Sequence, residues 1–245
     1  MSLQARLDAF KADFKAGKPP FNAPPEIHAV MARATAALIA SGQAERALKA
    51  GDRAPDFRLL DAQGNAVALS AMLADGPLVI SFYRGVWCPY CNLELKALEA
   101  ALPAFQAAGA KLVAISPQNA VNSRKSMRDN QLHFPILSDV GNAVAAAFGL
   151  RFALPDYLVD LYKQLKNDLP AFNGDDSWTL PMPARYVIGQ DATILYSEVN
   201  PDYTQRPEPE DMLVVLHEAA RSTRASAVAQ DRLPGPAVAA ARGLS

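Results

Sequence analysis

Leu78-Val79-Ile80-Ser81-Phe82-Tyr83-Arg84-Gly85-Val86-Trp87-Cys88-Pro89-Tyr90-Cys91 is the stretch in which the pattern of the chain changes, and its reading decides the fold class. The first six residues form a compact apolar run, as in a strand buried on both faces of a sheet. From Pro89 to about Ala108 the spacing lengthens, with Leu95, Leu98, Leu102 and Phe105 at helical intervals, and Pro103 is expected to kink the last turns. Ala110-Lys111-Leu112-Val113-Ala114-Ile115-Ser116 is then a second apolar run. Strand, helix and strand in this order need a crossover, so the two strands are expected to pair in parallel. Proline suits the first helical position because its missing N–H is not needed there, which puts Cys88 at or near the N-cap. The fold class read from this unit is α/β, a central mixed sheet flanked by helices.

Upstream, Ser2 to about Lys15 and Pro25 to about Leu48 read as amphipathic helices, with Leu3, Leu7, Phe10 and Phe14 on one stripe of the first. Pro19-Pro20-Phe21-Asn22-Ala23-Pro24-Pro25 separates them. Gly51 and Arg53-Ala54-Pro55-Asp56 mark a boundary, so residues 1–49 are expected to form an N-terminal helical arm. Such an arm can pack on its own domain or on the second subunit of a homodimer. Phe57 to Leu60 and Ala66 to Leu69 flank a turn and read as a hairpin. Downstream, Asn119 to about Asn130 reads as a helix, Phe134 to Leu137 as a short strand, and Asn142 to Phe148 as a helix closed by Gly149. Residues 152–182 read as an inserted loop carrying one helix from Pro155 to Leu165. Arg185 to Ile188 and Thr193 to Tyr196 make a second hairpin, and Pro207 to about Arg221 a closing helix. The main domain is set at residues 50–222, and the Ala-, Arg-, Gly- and Pro-rich segment 223–245 reads as a flexible tail.

Composition excludes several functions. Twenty-four basic residues balance 25 acidic ones, and no basic stretch is interleaved with aromatics as a nucleic-acid face requires. No run reaches the ~18 consecutive apolar residues of a membrane span, and the first residues carry no secretory pattern, so a cytoplasmic setting is expected. Only two cysteines occur, which excludes a disulfide-rich secreted scaffold. His28, His133 and His217 are far apart in sequence and form no ligand pair, and no phosphate-binding loop or Ser/His/Asp pattern is present. Neither a metal nor another cofactor is expected.

The chemistry therefore rests on Cys88 and Cys91. A thiol reacts as its thiolate, and a helix N-terminus presents free N–H groups and a positive end to a sulfur held there. Lowering a thiol pKa from ~8.5 to ~7 raises the thiolate fraction at neutral pH roughly fifteen-fold and costs about five-fold in nucleophilicity. The net gain in attack is only a few-fold, but such a thiol is also a better leaving group, which speeds resolution of a disulfide. Cys91, one turn on, can share a face with Cys88 and close a short disulfide. Two plainer readings compete: a pair of small buried residues continuing the Leu95 and Leu98 stripe, and half of a zinc site. Core packing does not explain the strand end, the proline and the spacing together, and the three histidines offer no ligand pair to complete a zinc site.

These residues resemble the thioredoxin-like superfamily, and within it the peroxiredoxin-like branch of alkyl hydroperoxide reductase and thiol-specific antioxidant proteins. Gly51-Asp52-Arg53-Ala54-Pro55-Asp56-Phe57 is similar to that branch's opening signature, Ile80 to Cys91 to its active-site strand and loop, and Val113-Ala114-Ile115-Ser116-Pro117 to its next strand. Ala184-Arg185-Tyr186-Val187-Ile188 completes the pattern, so the resemblance covers roughly residues 50–220. It implies a thioredoxin-like fold and a thiol peroxidase that cycles a Cys88/Cys91 dithiol and is regenerated by a thioredoxin- or glutaredoxin-type donor. The branch usually has proline where this chain has Arg84, and threonine or serine where it has Cys88; by that register Cys91 is the peroxidatic cysteine. Cys-Pro-Tyr-Cys is also the sequence of many glutaredoxins, whose first cysteine attacks, and by that analogy the nucleophile is Cys88. The superfamily's proline beside the active-site disulfide maps to Pro183, where many peroxiredoxins have arginine. Trp87, Pro89 and Tyr90 are expected to shape the site, and Arg84 and Arg185 to steady a thiolate or a peroxide oxygen. Three functions stand open: a peroxidase for hydrogen peroxide or organic hydroperoxides, a thiol–disulfide oxidoreductase acting on protein or glutathione disulfides, and a redox-switched interaction module.

Overall fold

The computed structural model describes residues 1–19, 22 and 24–231, without the side chains of 222–231. Two helices, α1 (Leu3–Lys15) and α2 (Pro25–Ala40), precede the sheet. β1 (Arg58–Asp61) and β2 (Ala66–Ala68) form the first hairpin, followed by a short α3 (Leu69–Leu73) and the central strand β3 (Leu78–Phe82). The long helix α4 (Pro89–Ala107) leads to β4 (Lys111–Ser116), α5 (Ala120–Asn130) and β5 (Ile136–Ser138). A short α6 (Ala143–Ala147) comes before β6 (Arg151–Ala153), α7 (Asp156–Gln164), α8 (Leu169–Asn173) and β7 (Thr179–Pro181). β8 (Ala184–Ile188), β9 (Ile194–Val199) and α9 (Pro209–Asp231) close the chain.

Seven strands form one mixed sheet in the order β2-β1-β5-β4-β3-β8-β9. β3 pairs in parallel with β4 and β4 with β5, as the crossover helix demands, while β8 lies antiparallel to β3. Side chains alternate across the sheet, so Ile80 and Phe82 pack with Phe148 and Tyr186 on one face, while Val79 and Tyr83 meet Leu95, Leu98 and Phe105 of α4 on the other. Burying each of these large side chains is worth roughly 1.5–3 kcal/mol. Both faces of β3 are therefore anchored, which fixes the loop that leaves its end.

Several sequence expectations need correction. α2 stops at Ala40 rather than near Leu48, because Ser41 leads into Gly42 at φ +62° and a separate turn of helix at Ala44–Arg46. Residues 152–182 are not an open loop: β6 and β7 pair antiparallel at its base, and α7 and α8 lie between them. Their strands are three residues each, too short for a periodicity signal. The sequence predicts strand throughout Ala66–Leu69, yet Leu69 begins α3. α4 continues through Pro103 to Ala107. α9 runs on to Asp231, well past Arg221. The rest of the expected tail, 232–245, lies outside the described residues, as do Pro20, Phe21 and Ala23 of the helix breaker.

Candidate active site

Cys88 is the N-cap of α4 and Pro89 its first residue. The loop between β3 and this cap is tightly held. Gly85 has φ +145°, and a Cβ there would stand 2.6 Å from Trp87 Nε1, so this turn admits glycine alone without rearrangement. Cys88 N–H donates to Gly85 O at 3.1 Å, and Val86 N–H to Gln118 Oε1 at 2.9 Å. Gln118 Nε2 in turn donates to the Tyr83 hydroxyl at 2.6 Å and to Ser126 Oγ at 3.1 Å. Asn92 Nδ2 holds Val86 O at 2.8 Å and is itself held by Asn130. Each of these polar groups is satisfied inside the fold, so the loop is specified by hydrogen bonds as well as packing.

The two sulfurs face each other across one helical turn, both as free thiols, with Cys88 2% exposed and Cys91 fully buried. Burial pushes the Cys88 thiol up, but the Cys91 S–H donating to it, the Arg84 guanidinium and the Cys91 N–H together draw it below its ordinary value. Burial pushes Cys91 up as well, and there the bond to Cys88 and the Cys88 charge add to the effect. One thiol is thus poised as the anion and the other as its proton-bearing partner.

Arg84 is 4% exposed. Its Nη2 donates to the Tyr162 hydroxyl, and its guanidinium lies 4.9 Å from the Trp87 ring centre and 4.3 Å from that of Tyr203. Stacking on aromatic faces holds a desolvated guanidinium in place without neutralising it. Tyr90 packs edge-on against Phe10 of α1 and against Tyr203. Trp87, Pro89, Tyr90 and Arg84 line, with Cys88, one cavity of about 350 Å³ that Phe10, Phe14 and Met31 of the two N-terminal helices also line. Pro183 is buried just before β8 and lines a neighbouring cavity that also contains Arg84.

Arg185 sits elsewhere, fully buried beneath α4. Its Nε donates to Glu94 Oε1 at 2.8 Å and its Nη1 to Pro207 O at 2.9 Å, while Arg206 Nε reaches Glu94 Oε2 at 2.5 Å. Burial would raise the Glu94 carboxyl, but the two guanidiniums outweigh it and hold it below the usual carboxylate range. Arg206 also favours the anions of Cys88 and Cys91. Glu94, Arg206, Tyr83, Gln118, Tyr162 and Tyr203 escaped the sequence reading. Only Glu94 carried a visible signal, a charge on the buried stripe between Cys91 and Leu98. His133 pairs with Glu99 at 2.6 Å, and His28 packs on Phe14. Among the described residues no three His, Cys, Asp or Glu side chains cluster as metal ligands would, and no helix is long and apolar enough to cross a membrane.

Comparison with known proteins agrees with this architecture. The family model described as AhpC/TSA matches residues 50–197. A relative from Mycobacterium tuberculosis assigned to the peroxiredoxins is 34% identical over 107 residues, spanning 44% of this chain and 70% of the relative. The chloroplastic Peroxiredoxin Q of Oryza sativa subsp. japonica is 34% identical over 100 residues, 41% of this chain and 46% of the rice protein. Among solved structures, Peroxidoxin BcpB from Mycobacterium tuberculosis superposes with a TM-score of 0.56 at 25% identity, covering 70% of this chain and 97% of that one. The yeast mitochondrial 1-Cys peroxiredoxin, at 19% identity and a TM-score of 0.57 over 72% of this chain and 78% of that one, agrees in fold. With a thioredoxin-like sheet, and with a family match that spans β3, the start of α4 and both cysteines, the chain belongs to the AhpC/TSA family and is a thiol peroxidase of the peroxiredoxin class.

Proposed function

We propose that Cys88 is the attacking thiol, Cys91 the resolving one, and that the pair cycles between dithiol and disulfide while reducing hydrogen peroxide or an organic hydroperoxide. The observation that carries this reading is the N-cap position of Cys88 in a cavity beside a buried guanidinium, with Cys91 donating to it from one turn along. The Cys88 thiolate attacks the terminal peroxide oxygen, an S–O bond forms, the O–O bond breaks, and the leaving alkoxide or hydroxide takes a proton from solvent. Cys91 sulfur then attacks the Cys88 sulfenic sulfur, giving the disulfide and water. A thioredoxin- or glutaredoxin-type dithiol returns two electrons and two protons. Arg84 orients the peroxide, Trp87, Pro89, Tyr90 and Pro183 shape the walls, and Arg185 acts from beneath through Glu94. A cytoplasmic setting suits a chain with only two cysteines and a dithiol returned to its reduced form in each cycle, and residues 1–49 are read as an arm on a domain of 50–222.

Stopped-flow oxidation of reduced protein, with Cys88→Ser and Cys91→Ser variants, tests the assignment. Cys88→Ser is expected to lose peroxide reactivity, whereas Cys91→Ser keeps it and stalls as a trappable sulfenic acid. The family register favours the opposite roles; sulfenic acid accumulating on Cys91 of Cys88→Ser at the wild-type rate would establish them. Fast exchange with small disulfides, but slow oxidation by every peroxide, would instead make disulfides the substrate.

A further inference from the structure

The chain has six methionines, and one of them, Met31 of α2, lines the cavity that holds Cys88. Met72, Met182 and Met212 are buried in the core. Met31 is only half-buried, and the Tyr203 hydroxyl donates to its Sδ at 3.8 Å. These two side chains also line two further cavities, of about 290 and 250 Å³, so open space borders the thioether on more than one side. A core methionine has no room for an added oxygen atom, whereas this one does. The helix that carries it is lightly held. None of its residues is buried, and it packs through Ile27, Val30, Met31 and Ala34 on an apolar cluster that includes Leu158 and Leu161 of α7.

We propose that Met31 is a second oxidation site, converted to its sulfoxide by peroxide that enters the Cys88 cavity once the thiols are spent, and that this reversible change loosens α2. A neutral thioether is a weaker nucleophile than a thiolate, so Met31 reacts only when Cys88 no longer consumes the peroxide. Its sulfur attacks the terminal peroxide oxygen, and an S–O bond forms as the O–O bond breaks. The proton on that oxygen passes to the departing alkoxide or hydroxide. Sulfur loses two electrons, the peroxide gains them, and the products are the sulfoxide and an alcohol or water. Tyr203 engages one of the two sulfur lone pairs, so oxygen arrives on the other and a single sulfoxide epimer forms. The new dipole stands among the apolar side chains that attach α2 to α7, which weakens that contact. The proposal requires peroxide in this cavity, whichever thiol attacks it.

The test treats the full-length protein, its thiols already oxidised, with excess hydrogen peroxide and follows each methionine by peptide mass spectrometry. Met31 sulfoxide is expected to form about ten-fold faster than sulfoxide at Met72, Met182 and Met212. After proteolysis, only one of the two epimer-specific methionine sulfoxide reductases should reduce the Met31 peptide, and Tyr203→Phe should yield a peptide that both reduce. Hydrogen exchange of the α2 amides should rise several-fold in the oxidised protein and stay unchanged in peroxide-treated Met31→Leu. Oxidation of Met31 as slow as that of the core methionines, or an equal mixture of epimers in wild type, overturns the site. Unchanged α2 exchange in wild type, or the same rise in Met31→Leu, overturns its effect on the helix. The double variant Cys88→Ser/Cys91→Ser separates this site from the thiol roles: Met31 oxidised there in the same epimer supports direct transfer from peroxide, and Met31 left intact overturns it. A reversed assignment of attacker and resolver leaves these readings as they are.

Discussion

Cys88 and Cys91 share one helix turn and one chemistry, yet their surroundings drive their acidities in opposite directions. The difference comes from what each can accept: Cys88 has an N–H, an S–H and the Arg84 charge on its side, while Cys91 has burial and a neighbouring anion. Since only the thiolate reacts, alkylation of Cys88 by iodoacetamide should be half-maximal below the ordinary thiol range near pH 8.5 and fall as the pH drops. Arg84→Met, which removes a favourable charge, should move that midpoint upward. Stability follows the same linkage. A depressed acid contributes fully above its unfolded pKa and loses that contribution as pH falls through the folded value, so wild type should gain on Arg84→Met between neutral pH and pH 9 in urea titrations. An unshifted alkylation midpoint in the variant would mean that Arg84 does not act on Cys88.

At the scale of elements, α4 carries the two thiols at its start and a buried charge one turn further in. Glu94 meets Arg185 of β8 and Arg206 of the segment before α9, tying three parts of the chain together under the site. Replacing one member of a buried ion set leaves the others uncompensated, so Glu94→Gln should cost about 3–5 kcal/mol of unfolding free energy, read by urea denaturation. A cost below about 1 kcal/mol would mean that water reaches the two arginines. How much of this was legible in the sequence divides along the same line. The strand, cap, proline and helix from Leu78 to Ala107 were readable because each is a local pattern, and β3 and β4 pair as that pattern requires. The Glu94 triad was not, because its members are 91 and 112 residues apart and nothing local at Arg206 distinguishes it from a surface arginine. The same holds for Tyr162, which reaches Arg84 from the segment between β6 and β7, and for Tyr203, which reaches it from the segment between β9 and α9.

Over the whole molecule, the decisive relation is between the N-terminal helices and the site they cover. Phe10 and Phe14 of α1 and Met31 of α2 line the cavity that contains Cys88, so a protein-sized reductant is expected to meet these helices on its way to the sulfur. α1 is tied at one end by Glu208, whose carboxylate accepts from Leu3 N–H at 2.8 Å and Gln4 N–H at 3.0 Å, and along its length by Lys11 on Thr204. A carboxylate at a helix N-terminus is worth about 1 kcal/mol, enough to shift a local opening equilibrium several-fold but too little to unfold the sheet. Glu208→Gln should therefore raise hydrogen exchange of the α1 amides while leaving β3 and β4 protected. In the same variant, labelling of Cys88 by a bulky maleimide should accelerate more than labelling by iodoacetamide, since only the larger reagent needs the helices displaced. Equal acceleration of both reagents, or none, would show that access to the thiol does not pass beneath α1.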